Sequence, residues 1–190
     1  MMDLGDYIKT FAEHSWRILL FPSEEWAQIS KQNSSVKSNI MGYLLPLVLV
    51  CSLLHFLCEL FHGNGLMSAF GKFLLTAIFY VVFYYLFSIL CNNIAWDIKS
   101  GKDKRQSVSL LAIYSMTVYF AVDILLLLMP GKSYLMIICG YVVYLIYTGC
   151  RTFGIKFKGS ETNAVAIMAV MFVLLPIFLR LVLNLLFPKM

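Results

Sequence analysis

Five apolar runs occupy most of this chain, and each is long enough to cross a hydrocarbon core of about 30 Å as a helix rising about 1.5 Å per residue. They lie at 40–61, 73–94, 108–129, 134–150 and 164–187, the fourth only just long enough. Near-continuous apolar runs lack the two-residue alternation of a barrel, and lipid satisfies no backbone groups, so the runs must be helices. The expected fold class is an all-α integral membrane bundle of five transmembrane helices, preceded by a cytoplasmic amphipathic helical segment at residues 1–39. Composition agrees: 61% of the residues are hydrophobic and 13% charged, where a soluble domain carries about 25% charged residues. That excludes most soluble enzymes and any disordered tail.

Orientation follows from Lys and Arg in the short loops, since cytoplasmic loops carry the excess. One side holds eleven: Lys9, Arg17, Lys31, Lys37, Lys99, Lys102, Lys104, Arg105, Arg151, Lys156 and Lys158. The other holds three: Lys72, Lys132 and Lys189. The N-terminus is therefore expected in the cytoplasm, the C-terminus outside, and the chain in the cell's inner membrane. The net charge of +5 forms no basic stripe and accompanies no nucleic-acid motif, so no nucleic-acid partner is expected. Cys51, Cys58, Cys91, Cys139 and Cys150 sit in or beside apolar runs without a paired C-x-x-C and read as small core residues.

Ahead of the first span, Leu4, Tyr7, Ile8, Phe11, Ile18 and Leu19 recur near helical spacing, with Asp6, Lys9, Glu13 and Arg17 between them. This segment is expected to lie along the cytoplasmic face of the bilayer with Trp16 and Trp26 as interfacial aromatics, or else to pack on the loops. Pro22, Ser23, Glu24 and Glu25 read as a helix start, because proline fits the first turn and acids there complement the dipole. Residues 31–38 read as a polar linker.

Charges inside a membrane are functional hypotheses by default. His55 and Glu59 in the first run, Asp123 in the third and Arg180 in the fifth are such residues. Counted from the cytoplasmic end, all four fall roughly 23–28 Å along their helices, in the outer half. A shared depth lets Arg180 pair with Glu59 or Asp123, which lowers an insertion cost of about 2.5–3.5 kcal/mol per central charge. His55, Glu59 and His62 share one face of the first helix at i, i+4 and i+7. They could bind a transition metal, relay protons or meet lipid headgroups, or form a structural polar cluster. No bound cofactor is otherwise expected.

Tyr80, Tyr84 and Tyr85, and likewise Tyr141, Tyr144 and Tyr147, recur at close helical spacing and are expected to pack between helices. Pro46 and Pro176 are expected to kink the first and fifth spans by removing a backbone hydrogen bond. The basic loop with Lys102, Lys104 and Arg105 could meet anionic headgroups or an acidic partner, or serve only as a topology signal.

The stretch Phe21-Pro22-Ser23-Glu24-Glu25-Trp26 followed by five close-set spans resembles the Yip family of Ypt/Rab-interacting membrane proteins, particularly its shorter bacterial members. Ala112 to Ser115, A-I-Y-S, resembles the family's aromatic-serine signature at the head of the third span; Met116 follows where the family often has proline. The resemblance implies the five-span fold and a cytoplasmic face, residues 1–39 and the two basic loops, for membrane or cytoplasmic protein partners. Trp16, Pro22, Trp26, Lys102, Lys104 and Arg105 are the expected partner or headgroup surface.

Three functions then compete. The first is a non-enzymatic multi-pass protein that organises protein or lipid partners, motivated by this architecture and by the lack of a nucleophile elbow, P-loop or dinucleotide fingerprint. The second is a small permease or ion-coupled transporter using His55, Glu59, Asp123 and Arg180, which a bundle with no polar cavity at those residues would count against. The third is a metal-dependent intramembrane enzyme using His55, Glu59 and His62, where loss of metal on chelation without effect would end the idea. A homo-oligomer fits any of them.

Overall fold

The computed structural model describes residues 4–32, 35–98, 103–129, 131 and 133–186. Helices α1 (Leu4–Leu20) and α2 (Pro22–Lys31) are followed by α3 (Val36–Asn39), a π-helical stretch at Ile40–Leu44 and α4 (Leu45–Phe61), which together run as one long helix. Next come α5 (Leu66–Ile94), β1 (Ala95–Ile98), α6 (Lys104–Leu128), a 3-10 stretch at Ser133–Tyr141, α7 (Val142–Phe153), β2 (Ile155–Phe157) and α8 (Glu161–Leu186).

Four of these helices are long and apolar enough to cross a membrane: Val36–Phe61, Leu66–Ile94, Lys104–Leu128 and Glu161–Leu186. The fourth apolar run of the sequence instead forms a shorter element, Ile137–Phe153, whose first part is 3-10 rather than α. The second long helix begins at Leu66, seven residues before the apolar run expected from 73, because Leu66, Met67, Ala69 and Phe70 extend the apolar run and the lone Gly71 costs only about 1 kcal/mol of helix propensity. The π-helical stretch immediately precedes Pro46, whose ring removes a backbone donor from the helix.

Helix α6 is the axis of the bundle. Of its most apolar 18-residue window 72% is buried, against 28–33% for the other three long helices. Its side chains from Leu110 to Phe120 are buried on every face, so it shows no amphipathic stripe. Phe79, Tyr80, Phe83 and Phe87 of α5 pack with Tyr119 and Phe120 of α6 and Phe172 of α8 in an aromatic core of edge-on and tilted rings, with Tyr80 stacked on Phe120. On α8, Val165, Met168, Ala169, Phe172 and Leu179 face that core, while Ile177, Phe178 and Leu181 are exposed. Such exposed apolar faces are the surfaces that a bilayer covers; this is a multi-pass membrane protein.

The N-terminal helices do not form a free-standing surface layer. Phe11, His14, Ser15, Ile18 and Leu19 of α1 are buried or half-buried at helical spacing, as are Pro22, Glu25, Trp26 and Ile29 of α2. The two helices fold back on each other and dock on α6 and α7. Tyr141 donates from its hydroxyl to the Leu19 carbonyl at 2.8 Å, and Trp26 donates from Nε1 to the Leu145 carbonyl at 3.1 Å. Helix α2 thus packs against α7. Gly149 permits the approach: a Cβ there would lie 2.9 Å from Trp26 Cε2 and 2.4 Å from Leu111 Cδ1.

The bundle is all-α as expected, with one short two-stranded antiparallel sheet outside its helices. β1 pairs with β2 in the register Ala95 to Phe157, Asp97 to Lys156 and Ile98 to Ile155, tying together two segments that read as loops. Gly154, at φ 63°, caps α7 in the left-handed conformation and turns the chain into β2. Lys156 pairs with Asp97 at 3.5 Å, and Lys158 lies 3.7 Å over the Trp96 ring.

Candidate functional site

Asp123 sits on the axial helix α6, 5% exposed, where an unpaired carboxylate would be prohibitively costly. Three donors from three other helices meet it. Arg180 of α8 donates from Nη2 to Oδ1 at 2.7 Å, Tyr80 of α5 donates to Oδ2 at 2.5 Å, and His55 of α4 places Nε2 3.0 Å from Oδ2. The Arg180 guanidinium also lies 5.5 Å from the centre of the Phe79 ring and 5.8 Å from that of Tyr119, faces that favour a cation. The structure thus brings together His55, Asp123 and Arg180 of the four expected residues. It adds Tyr80, which its tyrosine stripe had marked only as packing.

Glu59 is not Arg180's partner. Its carboxylate instead accepts from Asn64 Nδ2 at 2.6 Å, in the turn between α4 and α5. His62 is exposed and turned onto its own helix, with Nδ1 2.7 Å from the Cys58 carbonyl oxygen. The i, i+4, i+7 stripe therefore does not act as a unit: His55 turns inward to Asp123, and the other two are bound locally. Among the described residues no group of three or more His, Cys, Asp or Glu side chains could hold a metal ion, which corrects the expectation of a His55, Glu59 and His62 metal site.

A cavity of about 220 Å³ opens beside this cluster, lined by His55, Lys72, Thr76, Asp123, Arg180 and Asn184 with Leu75, Phe79, Tyr80 and Leu183. A second recess of about 280 Å³ adjoins it, sharing His55 and Lys72 and adding Glu59, His62 and Asn64. Lys72, Thr76 and Asn184 escaped the sequence reading because each is unremarkable alone. Lys72 had counted only as a loop charge, yet it stands inside α5.

The expected partner surface divides in two. Trp16 is 63% exposed. Pro22 and Trp26 are buried, so they belong to the core and not to a surface. Two apolar positions on one face of a short amphipathic helix look the same whether lipid or protein covers them, which is why the sequence placed Trp26 at the interface. Lys104 and Arg105 form the first turn of α6, where the Asp103 carboxylate accepts from the Arg105 backbone amide at 3.3 Å. Lys102 and Lys99 lie outside the described residues.

A charged cluster at the hairpin was not anticipated. The Glu25 carboxylate is wholly buried; Arg17 Nε donates to it at 2.9 Å, and His14 Nδ1 bonds its other oxygen. The i+8 and i+11 spacing crosses a helix turn-around and carries no periodic signal. Of the tyrosine stripes, Tyr80 and Tyr84 are buried, whereas Tyr85, Tyr144 and Tyr147 are exposed, and Tyr141 bonds α1.

The two stretches that carry the family resemblance meet in space. Trp26 stands edge-on to Tyr114, and Tyr114 packs tilted against Tyr43 with centroids 4.4 Å apart and donates to Asn39 Oδ1 at 3.3 Å. No curated protein and no solved structure gives a significant match to the chain. The family profile described as the Yip1 domain matches residues 16–183, from the exposed tryptophan of α1 to the cavity wall of α8. With more than half of its length matched, the chain belongs to the Yip1 domain family.

Proposed function

We propose that this protein is a non-enzymatic organiser of protein partners, working from the cytoplasmic face of the inner membrane. In this reading residues 1–39 form the partner-facing segment and residues 40–190 a five-span membrane domain with its N-terminus inside and C-terminus outside. The eleven-to-three distribution of basic residues supports that orientation. The observation that carries the reading is the docked hairpin of α1 and α2. Its inner face is keyed into the bundle by Trp26, while Trp16, Leu20 and Phe21 remain 63%, 49% and 53% exposed as an apolar ridge at its turn. Glu13 and Glu24 flank the ridge with exposed carboxylates. An apolar ridge rimmed by charge suits a protein contact.

Removing residues 1–39 is not a clean test, because Trp26 and Ile29 are core residues. Site-specific photo-crosslinking in cells from position 20, with and without Trp16→Ala and Phe21→Ser, leaves the core intact. The reading expects discrete crosslinked proteins that both substitutions abolish. An identical crosslink pattern with and without them would overturn it.

A second reading, a small permease, is favoured by one observation: a polar cavity reaches Asp123 and Arg180. Uptake of candidate small solutes into proteoliposomes, compared with Arg180→Gln, tests it, and no uptake above protein-free vesicles rules it out.

A further inference from the structure

The cavity beside Asp123 has a surplus of donors. Asp123 already receives Tyr80, His55 and Arg180, so its acceptor capacity is largely spent. Arg180 gives Asp123 only Nη2 among its five N–H donors, and its side chain is 44% exposed. Lys72 forms no ion pair among the described residues, and Thr76, one turn on from it along α5, and Asn184, one turn on from Arg180 along α8, line the same cavity. Two cations and two neutral donors around one satisfied carboxylate make a place for an anion.

The depth of the cavity specifies what kind of anion. Helix α5 has 29 residues, about 43 Å at about 1.5 Å each, so it overshoots a hydrocarbon core of about 30 Å by several ångströms at each end. Lys72 lies six residues in from Leu66, and Arg180 six residues before Leu186, the ends of their helices. Both therefore stand near the boundary where headgroup phosphates meet acyl chains. The outer sides of the same helices are apolar and exposed: Leu74 and Ile78 on α5, Phe178 and Leu181 on α8. Beyond Lys72 the adjoining recess carries the opposite charge, the Glu59 carboxylate, with Asn64 and His62.

We propose that the two recesses hold the headgroup of an aminophospholipid, its phosphate between Arg180 and Lys72 and its ammonium beside Glu59, with acyl chains along α5 and α8. The phosphate takes charge-assisted hydrogen bonds from both cations, and Thr76 and Asn184 complete its shell. The short bridge between phosphate and amine matches two recesses that share Lys72 as a wall. This assignment is independent of the partner ridge on α1 and α2, which lies on other helices.

Native mass spectrometry of the detergent-released full chain tests it, using phosphatidylethanolamine, phosphatidylglycerol and diacylglycerol of identical acyl chains, and inorganic phosphate. The wild type is expected to retain one phosphatidylethanolamine. Lys72→Gln, which spares the Arg180–Asp123 pair, should lower that retention about tenfold. Glu59→Gln should bring it down to the phosphatidylglycerol level without changing the latter. Leu183→Trp, which fills the cavity and leaves every charge in place, should exclude both lipids and decides the matter even where Lys72→Gln fails to fold. Equal retention of diacylglycerol, wild-type retention in Leu183→Trp, or displacement of the lipid by equimolar inorganic phosphate would each overturn the proposal, the last in favour of a free-anion site.

Discussion

Trp26 of α2 and Tyr114 of α6 stand edge to face, ring centroids 5.9 Å apart and planes at 75°, 88 positions apart in the chain. Phe153 also meets the indole edge-on, at 5.6 Å and 71°. One ring thereby joins the N-terminal hairpin, the axial helix and the short helix α7.

Trp26→Ala should therefore cost about 3–5 kcal/mol, the range for truncating a fully buried aromatic. Trp26→Phe keeps most of the packing and loses only the indole bond to the Leu145 carbonyl, which stays in the helix ladder of α7, a loss of about 0.5–1.5 kcal/mol. Unfolding in detergent followed by circular dichroism gives the ranking, and limited trypsin digestion at Lys31 should speed up in the same order. Equal digestion rates would mean that the hairpin does not depend on this ring.

Gly149→Ala sets two effects against each other. Alanine gains about 1 kcal/mol of helix propensity over glycine. Its methyl, however, would come within 2.9 Å of the rigid indole and 2.4 Å of Leu111 Cδ1, and overpacking of this kind costs about 1–3 kcal/mol. The clash should win, lowering the melting temperature. Pairing Gly149→Ala with Trp26→Ala should remove much of the penalty, a non-additivity that a double-mutant cycle measures directly.

Neighbouring acids on α2 should differ sharply. Glu25 is wholly buried with Arg17 and His14 on its carboxylate, so Glu25→Ala leaves Arg17 half-buried and short of its best partner, a loss of about 2 kcal/mol. Glu24 is 70% exposed and 4.0 Å from Arg17, and such pairs are worth about 0–1 kcal/mol. Comparing the two alanine variants by urea or SDS titration checks the contrast; similar losses would contradict the burial argument.

Within the membrane, Asp123→Asn should destabilise far more than Glu59→Gln. Removing one partner of a buried pair costs about 3–5 kcal/mol, and the half-exposed Arg180 puts this case toward the low end, about 3 kcal/mol. Glu59 loses one exposed bond to Asn64, worth roughly 0.5–1.5 kcal/mol at most. In SDS-titrated unfolding, Arg180→Gln should couple to Asp123→Asn and add independently to Glu59→Gln.

The sequence by itself determined that this chain is a helical membrane bundle, because runs of more than twenty apolar residues admit no other arrangement in lipid. It also determined which helices bear charge and at what depth, since position along a helix is a linear count. His55, Asp123 and Arg180 could be named as one layer on that ground alone. Rotation about each helix axis is not a linear count. Only the tertiary structure decided that Asp123 rather than Glu59 receives Arg180, that Tyr80 joins them, and that Lys72 and Asn184 wall the same cavity. Contacts such as Trp26 with Tyr114, or β1 with β2, depend on how distant segments pack. An apolar face looks the same in sequence whether lipid or another helix covers it, so the burial of Trp26 had to be settled in three dimensions.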